Sequence, residues 1–100
     1  MNVLTNEVVE EIEKMTYQFF ADECEVDISE LTAETDVIND LDGDSLMLLE
    51  LIEQIKKKYN LTIKMQTLGK YILKHPATTI GSIIKVCCRL YEKEDDMVEE

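Results

Sequence analysis

The residues best placed to do chemistry are Asp40-Leu41-Asp42-Gly43-Asp44-Ser45-Leu46, a primary hydroxyl that closes an acidic stretch. A long apolar-periodic segment begins directly after it. Gly43 permits a turn geometry that other residues resist. Asp44 or Ser45 can answer the free amides of the helix that follows. The spacing therefore predicts Ser45 at a helix N-terminus, with its hydroxyl near solvent. A phosphate attached there would lie near the positive end of the helix dipole. Plain helix capping accounts for the same local pattern, so the rest of the chain must decide between them.

Other chemistries fit less well. With Gly43 as the sixth residue of a calcium loop, Ile38 falls first and Leu49 twelfth. Starting at Asp40 puts Ser45 sixth and Leu51 twelfth, and neither frame supplies the oxygen ligands an EF-hand needs. A nucleophilic serine needs a base, and His75, just before Pro76, is the only histidine. It reads as a surface or hydrogen-bonded histidine, and Ser45 lies outside any G-x-S-x-G elbow. No phosphate-binding G-x-x-x-x-G-K-[ST] is present. Cys24, Cys87 and Cys88 form no C-x-x-C, lack an obvious basic activator, and with one histidine are too few for a structural zinc site. Cys87 reads as core and Cys88 as partly exposed.

A chain of 100 residues fits one small domain with a modest core. Its 22 acidic and 10 basic residues give a formal net charge of -12. That argues against nucleic acid, whose phosphates call for a basic surface. It suits a partner with a basic docking face, although solubility alone also explains it. No apolar run is long enough to cross a bilayer, and no stretch resembles a secretory signal. The odd, partly adjacent cysteines do not form a disulfide framework. The cytoplasm is the expected compartment.

The elements that must position Ser45 follow from periodicity. Thr5 or Asn6 caps a first helix, about 6–21, with Val8, Ile12, Met15 and Phe19 on one stripe, widened by Val9, Thr16 and Phe20. Between Ala21 and Gly43 no long periodicity survives. Asp27 and Glu30 have capping-box spacing, which predicts one helical turn over Ile28–Leu31. Leu31, Val37, Ile38 and Leu41 are the expected anchors of this long connection. The second helix spans about 45–59, with Leu48, Leu51, Ile52, Ile55 and Tyr59 inward. Leu46, Met47 and Leu49 make its first turns apolar on more than one side, more than a core face requires. Glu53 and Lys57 have the favoured i,i+4 order, and Lys56, Lys57 and Lys58 suit the negative helix end. Leu61 and Ile63 alternate too briefly for a strand. A short third helix, about 67–74, turns Leu68, Tyr71 and Ile72 inward and closes at His75–Pro76. Thr78 or Thr79 caps a fourth, about 79–91, with Ile80, Ile83, Ile84, Cys87, Leu90 and Tyr91 as core and Gly81 allowing close packing. The acidic end, 92–100, is expected to fray. The expected fold is all-α, a small monomeric four-helix bundle with a long first loop and a short third helix.

Asp44-Ser45-Leu46, opening an apolar helix after an acidic loop, resembles the phosphopantetheine attachment motif of acyl carrier proteins. Thr35-Asp36-Val37-Ile38-Asn39-Asp40-Leu41 is similar to that family's run into the motif. Leu48, Glu50, Leu51 and Ile52 resemble its recognition helix. His75-Pro76-Ala77-Thr78-Thr79-Ile80 resembles the approach to the last helix of polyketide-synthase and peptide-synthetase carriers. The resemblance covers about residues 5–91, and the triplet is weak alone but strong with the order, length and acidity around it. The chain differs from the fatty-acid carriers at Asp42, at Met47 and at Lys56–Lys58, so a specialised carrier beside a dedicated ligase or synthase is at least as much to be expected as one for routine fatty-acid synthesis.

The resemblance implies a free-standing acyl carrier, not an enzyme, in one domain spanning 1–100. Ser45 would receive 4'-phosphopantetheine from coenzyme A through a magnesium-dependent phosphopantetheinyl transferase. The arm would hold an acyl or aminoacyl group as a thioester for partner enzymes of fatty-acid, polyketide or related biosynthesis. A tethered arm raises the effective concentration of its cargo at a docked partner. Asp44 would help a partner bind or orient the magnesium–coenzyme complex. Asp44, Glu50 and Glu53 would meet basic groups on partners around Leu46 and Met47. Leu46, Ile63 and Leu68 would line an acyl pocket between the second and third helices. The competing readings are a non-catalytic interaction module that keeps the fold without the arm and, with little support, a small hydrolase using Ser45.

Overall fold

The computed structural model describes residues 3–93, apart from the side chains of Ser45 and Met65. Among the described residues it holds four helices, α1 (Asn6–Glu23), α2 (Ser45–Tyr59), α3 (Met65–Lys74) and α4 (Ile80–Lys93), and a three-ten turn, Ile28–Glu30. No strand occurs among them, and 61–64 is irregular, as its brief alternation predicts. The third helix opens at Met65, two residues earlier than expected, and α4 runs on through Lys93. The expected fraying of 94–100 lies outside the described residues.

Local chemistry sets the helix ends. Thr5 caps α1 by accepting from the Val8 amide at 3.2 Å. Asp27 caps the three-ten turn through the amide and hydroxyl of Ser29 at 2.9 and 2.8 Å, so Ser29 is its partner rather than the capping box with Glu30. Asn60 ends α2 in the left-handed conformation, φ 54°, a role asparagine tolerates better than most residues. Thr79 and Ser82 cap each other at the start of α4, each backbone amide donating to the other hydroxyl at 3.1 and 3.2 Å.

The helix stripes meet in one core. Ile12, Phe20, Leu51, Ile52, Ile55, Leu68, Ile80 and Leu90 are wholly buried, each contributing about 1.5–3 kcal/mol by leaving water. Val86 joins them, although the apolar pattern of α4 did not single it out. Buried Thr16 is satisfied by donating to the Ile12 carbonyl at 2.7 Å. Helix α1 lies along α4 and also against α2, and α2 packs on α4. Helix α3 keeps its backbone farther away and docks through Leu68 and Tyr71. Between α1 and α2 the Tyr59 hydroxyl donates to Glu11 at 2.7 Å, and its ring meets Tyr91 edge-on at 5.0 Å. Burial first, then the Glu11 carboxylate, pushes the Tyr59 phenol well above its ordinary range.

Candidate functional site

The loop before Ser45 is folded on itself and bound to the far end of the chain. The Asp36 carboxylate accepts from the amides of Ile38 and Asn39, both at 2.9 Å, and from the Asn39 side chain at 3.1 Å. The Asn39 amide foremost holds this exposed carboxyl below the usual carboxylate range. The Asp36 amide donates to Asp40 at 2.9 Å. Two further bonds bridge the loop to the α3–α4 connection. The Val37 amide donates to the Thr78 carbonyl at 2.8 Å, and the Ile80 amide to the Thr35 carbonyl at 3.0 Å. Gly81 lets α4 come close, its amide donating to Ala33 at 2.9 Å. A Cβ at 81 would sit 3.1 Å from that same carbonyl oxygen.

Asp42 and Gly43 then aim the chain into α2. The left-handed turn falls on Asp42, φ 55°, and not on Gly43, where the sequence predicts it. Gly43 serves close approach. Its amide donates to the Val37 carbonyl at 2.8 Å. An added Cβ would lie 2.6 Å from Val37 Cγ1, 2.9 Å from the Val37 oxygen and 3.0 Å from Met47 Sδ. Gly43→Ala is therefore expected to cost about 1–3 kcal/mol, as overpacking does, and to slow any chemistry at Ser45. Urea denaturation checks the first part, and an unchanged midpoint would contradict this close approach.

Asp44 caps α2. Its Oδ1 accepts from Leu46 at 3.0 Å and Met47 at 3.2 Å, which settles the choice between Asp44 and Ser45. Oδ2 makes no hydrogen bond among the described residues and remains an acceptor. Ser45 is the first residue of α2. Whether its hydroxyl faces solvent lies outside the described side chains. Because Asp44 already occupies two of the free amides, a phosphate on Ser45 would gain little from the helix end.

An apolar cavity of about 280 Å³ lies beside this corner. Asp44, Val37 and Ile38 border it on one side, Ile72 and Leu73 on another, and Phe20 reaches it from α1. The expected acyl-pocket residues sit elsewhere. Leu46 is 63% exposed and lines a shallow depression with Glu50 and Glu53, while Ile63 and Leu68 are buried in the core. Phe20 and Ile83 reach the cavity only through tertiary packing, and no signal within their helices distinguishes them from other core residues. A larger depression of about 520 Å³ between α1 and α2 is polar in part and meets α2 only at Gln54 and Lys58, away from Ser45.

Of the docking candidates, Leu46, Glu50 and Glu53 line one shallow depression on α2. Glu50 is exposed and Met47 half-buried beside Leu46. Glu53 pairs with Lys56 at 3.4 Å, not with Lys57, so the favoured i,i+4 spacing is overridden. Lys58 faces Glu11 at 4.0 Å. Two of the three clustered lysines are thus engaged within the chain.

His75 is exposed and stacks on Tyr71 at 4.5 Å. Burial first raises the pKa of the Cys24, Cys87 and Cys88 thiols, and Cys87 is wholly buried. Thiols so placed are poor nucleophiles. Among the described residues no acid, histidine and cysteine cluster could hold a metal ion. No helix among them is long and apolar enough to cross a membrane.

The sequence places this corner among known proteins. Residues 17–85 match the family described as the phosphopantetheine attachment site. The chain is 52% identical over 97 residues to the acyl carrier protein homolog of Clostridium acetobutylicum, covering 97% of this chain and 94% of that one. It is 38% identical over 53 residues to the acyl carrier protein of Porphyromonas gingivalis, covering 53% of this chain and 68% of that one. No solved structure matches it.

Proposed function

Because the chain belongs to the acyl carrier proteins of the phosphopantetheine attachment family, we propose that Ser45 is its attachment residue. The observation that carries this reading is the position of Ser45. It opens α2 directly after the Asp44 cap, beside an apolar cavity that Asp44 itself borders. The cavity and the open Oδ2 of Asp44 fit the group. When bound, 4'-phosphopantetheine supplies a thiol that holds acyl cargo as a thioester.

The chain's own residues supply place and shelter. Gly43 and the Asp36 turn hold the approach to Ser45, and Asp44 fixes the first turn of α2. Asp44 Oδ2 is free to face a magnesium ion or a basic group on a transferase. Val37, Leu48, Ile72 and Ile83 offer an acyl chain a water-poor wall. The role is that of a carrier and not of a catalyst, as for the acyl carrier proteins to which the chain belongs. One cytoplasmic, monomeric carrier domain over 1–100 is the unit we propose. Its partners are a transferase and the ligase or synthase that loads the cargo. The test is intact mass after incubation with coenzyme A, magnesium and a broad-specificity transferase, with one adduct on the Ser45 peptide as the expected result.

Docking on α2 makes a separate prediction. Glu50 is exposed, and the Glu53 side chain is 46% exposed despite its contact with Lys56. Reversing both to lysine is expected to slow modification about tenfold at low salt, while stability changes by no more than about 1 kcal/mol. Added salt should slow the original chain and narrow the difference. Rates indifferent to both reversal and salt would remove α2 as the docking face.

A further inference from the structure

Over residues 1–93 the charges of this chain are segregated. Residues 1–55 hold sixteen of the 22 acidic side chains and one basic one, Lys14. Residues 56–93 hold the other nine basic side chains and one acid, Glu92. The division runs across the mouth of the cavity beside Asp44. On one lip stand Asp44 and the half-exposed Ile38, within a run that also holds Asp36, Asp40 and Asp42. On the other, α3 presents Leu73, 83% exposed, between Lys70 and Lys74. Neither lysine forms an ion pair among the described residues.

We infer that α3 is a second docking surface, for a protein partner that brings an acidic patch around an apolar recess for Leu73. Charge complementarity carries the choice of partner. A wholly basic surface that matched the aspartate lip would meet Lys70 and Lys74 with like charge, which suppresses that encounter. A partner with basic groups toward the loop and acidic groups toward α3 is attracted at both lips and can sit in one orientation only. An exposed leucine flanked by cations supplies the apolar centre such contacts favour. An anionic bilayer fits less well, because a surface covering the mouth would also meet Asp44, which borders the cavity, and the acidic run that leads into it, with like charge. The inference does not depend on modification of Ser45, and the unmodified chain tests it.

The experiment titrates the isotopically labelled chain with two amphipathic peptides of equal leucine content, one rich in glutamate and one in lysine. The glutamate peptide is expected to shift the amide resonances of Lys70, Leu73 and Lys74, and the lysine peptide those between Asp36 and Glu53. K70E with K74E should weaken the glutamate peptide at least about fivefold, and Leu73→Ser should weaken it as well. The same spectra show whether each variant is folded. K70Q with K74Q replaces the double reversal if that variant is not. Unmoved α3 resonances, or binding indifferent to these changes, would overturn the inference. So would phosphatidylglycerol vesicles that broaden the α3 resonances while the glutamate peptide leaves them in place.

Discussion

Ser45→Ala is expected to abolish attachment of the arm, and with it every form of acyl loading, while leaving the helices in place. The loss should be complete because Ser45 is the one hydroxyl residue in the run from Asp36 to Leu46. The fold should survive because Asp44, not Ser45, caps α2 through the amides of Leu46 and Met47. Loss of an Asp cap would cost about 1 kcal/mol, and this variant keeps the cap. Intact mass of both chains after coenzyme A, magnesium and transferase gives the answer, with circular dichroism as the check on helicity. An unmodified original chain across several transferases would defeat the attachment reading. An adduct that persists in Ser45→Ala would move the site to another residue.

The second large effect is expected at Phe20. Its ring is wholly buried, meets Phe19 edge-on at 5.2 Å and also borders the cavity. Phe20→Ala should cost about 3–5 kcal/mol, from lost burial and the void left behind. Total stability for a small domain is about 5–15 kcal/mol, so the variant should sit close to its unfolding midpoint in mild urea. Phe20→Leu should cost less and keep the fold. The same substitution deepens the cavity, so loaded Phe20→Leu should shelter a longer acyl chain from hydrolysis than the original chain does. Urea midpoints measure the first effect, and thioester half-lives across a chain-length series measure the second. A loss below about 1 kcal/mol in Phe20→Ala would contradict this burial.

Local signals carried much of the fold. The second helix spans Ser45–Tyr59 as its apolar stripe and acidic cap predict. The single turn after Asp27 and the stop before Pro76 were legible for the same reason, because short-range hydrogen bonding and proline sterics decide them. What lay beyond reach was set by distant partners. Nothing near Phe20 or Ile83 says that they converge on one cavity. Glu53 could pair with Lys56 or Lys57 on spacing alone, and in the fold it meets Lys56. Gly43 announces a special backbone position, but only the approach of Val37 reveals that crowding, not a left-handed turn, requires it. The triplet around Ser45 was legible, and the wall that could shelter its cargo was not.

The bridge between Thr35–Val37 and Thr78–Ile80 bears on how far the attachment motif can be moved. Every residue from Asp36 to Leu46 fits in a short peptide. Yet the loop hangs on a carbonyl at Thr78 and on the amide of Ile80, more than forty residues downstream. A fragment that stopped before Thr78 would contain the whole triplet and lose both tethers. Grafted into another protein as a tag, the same stretch would pay the entropy of ordering its backbone with nothing downstream to hold it. The last helix, tied to this loop through backbone groups at its start, is therefore part of what makes the serine addressable.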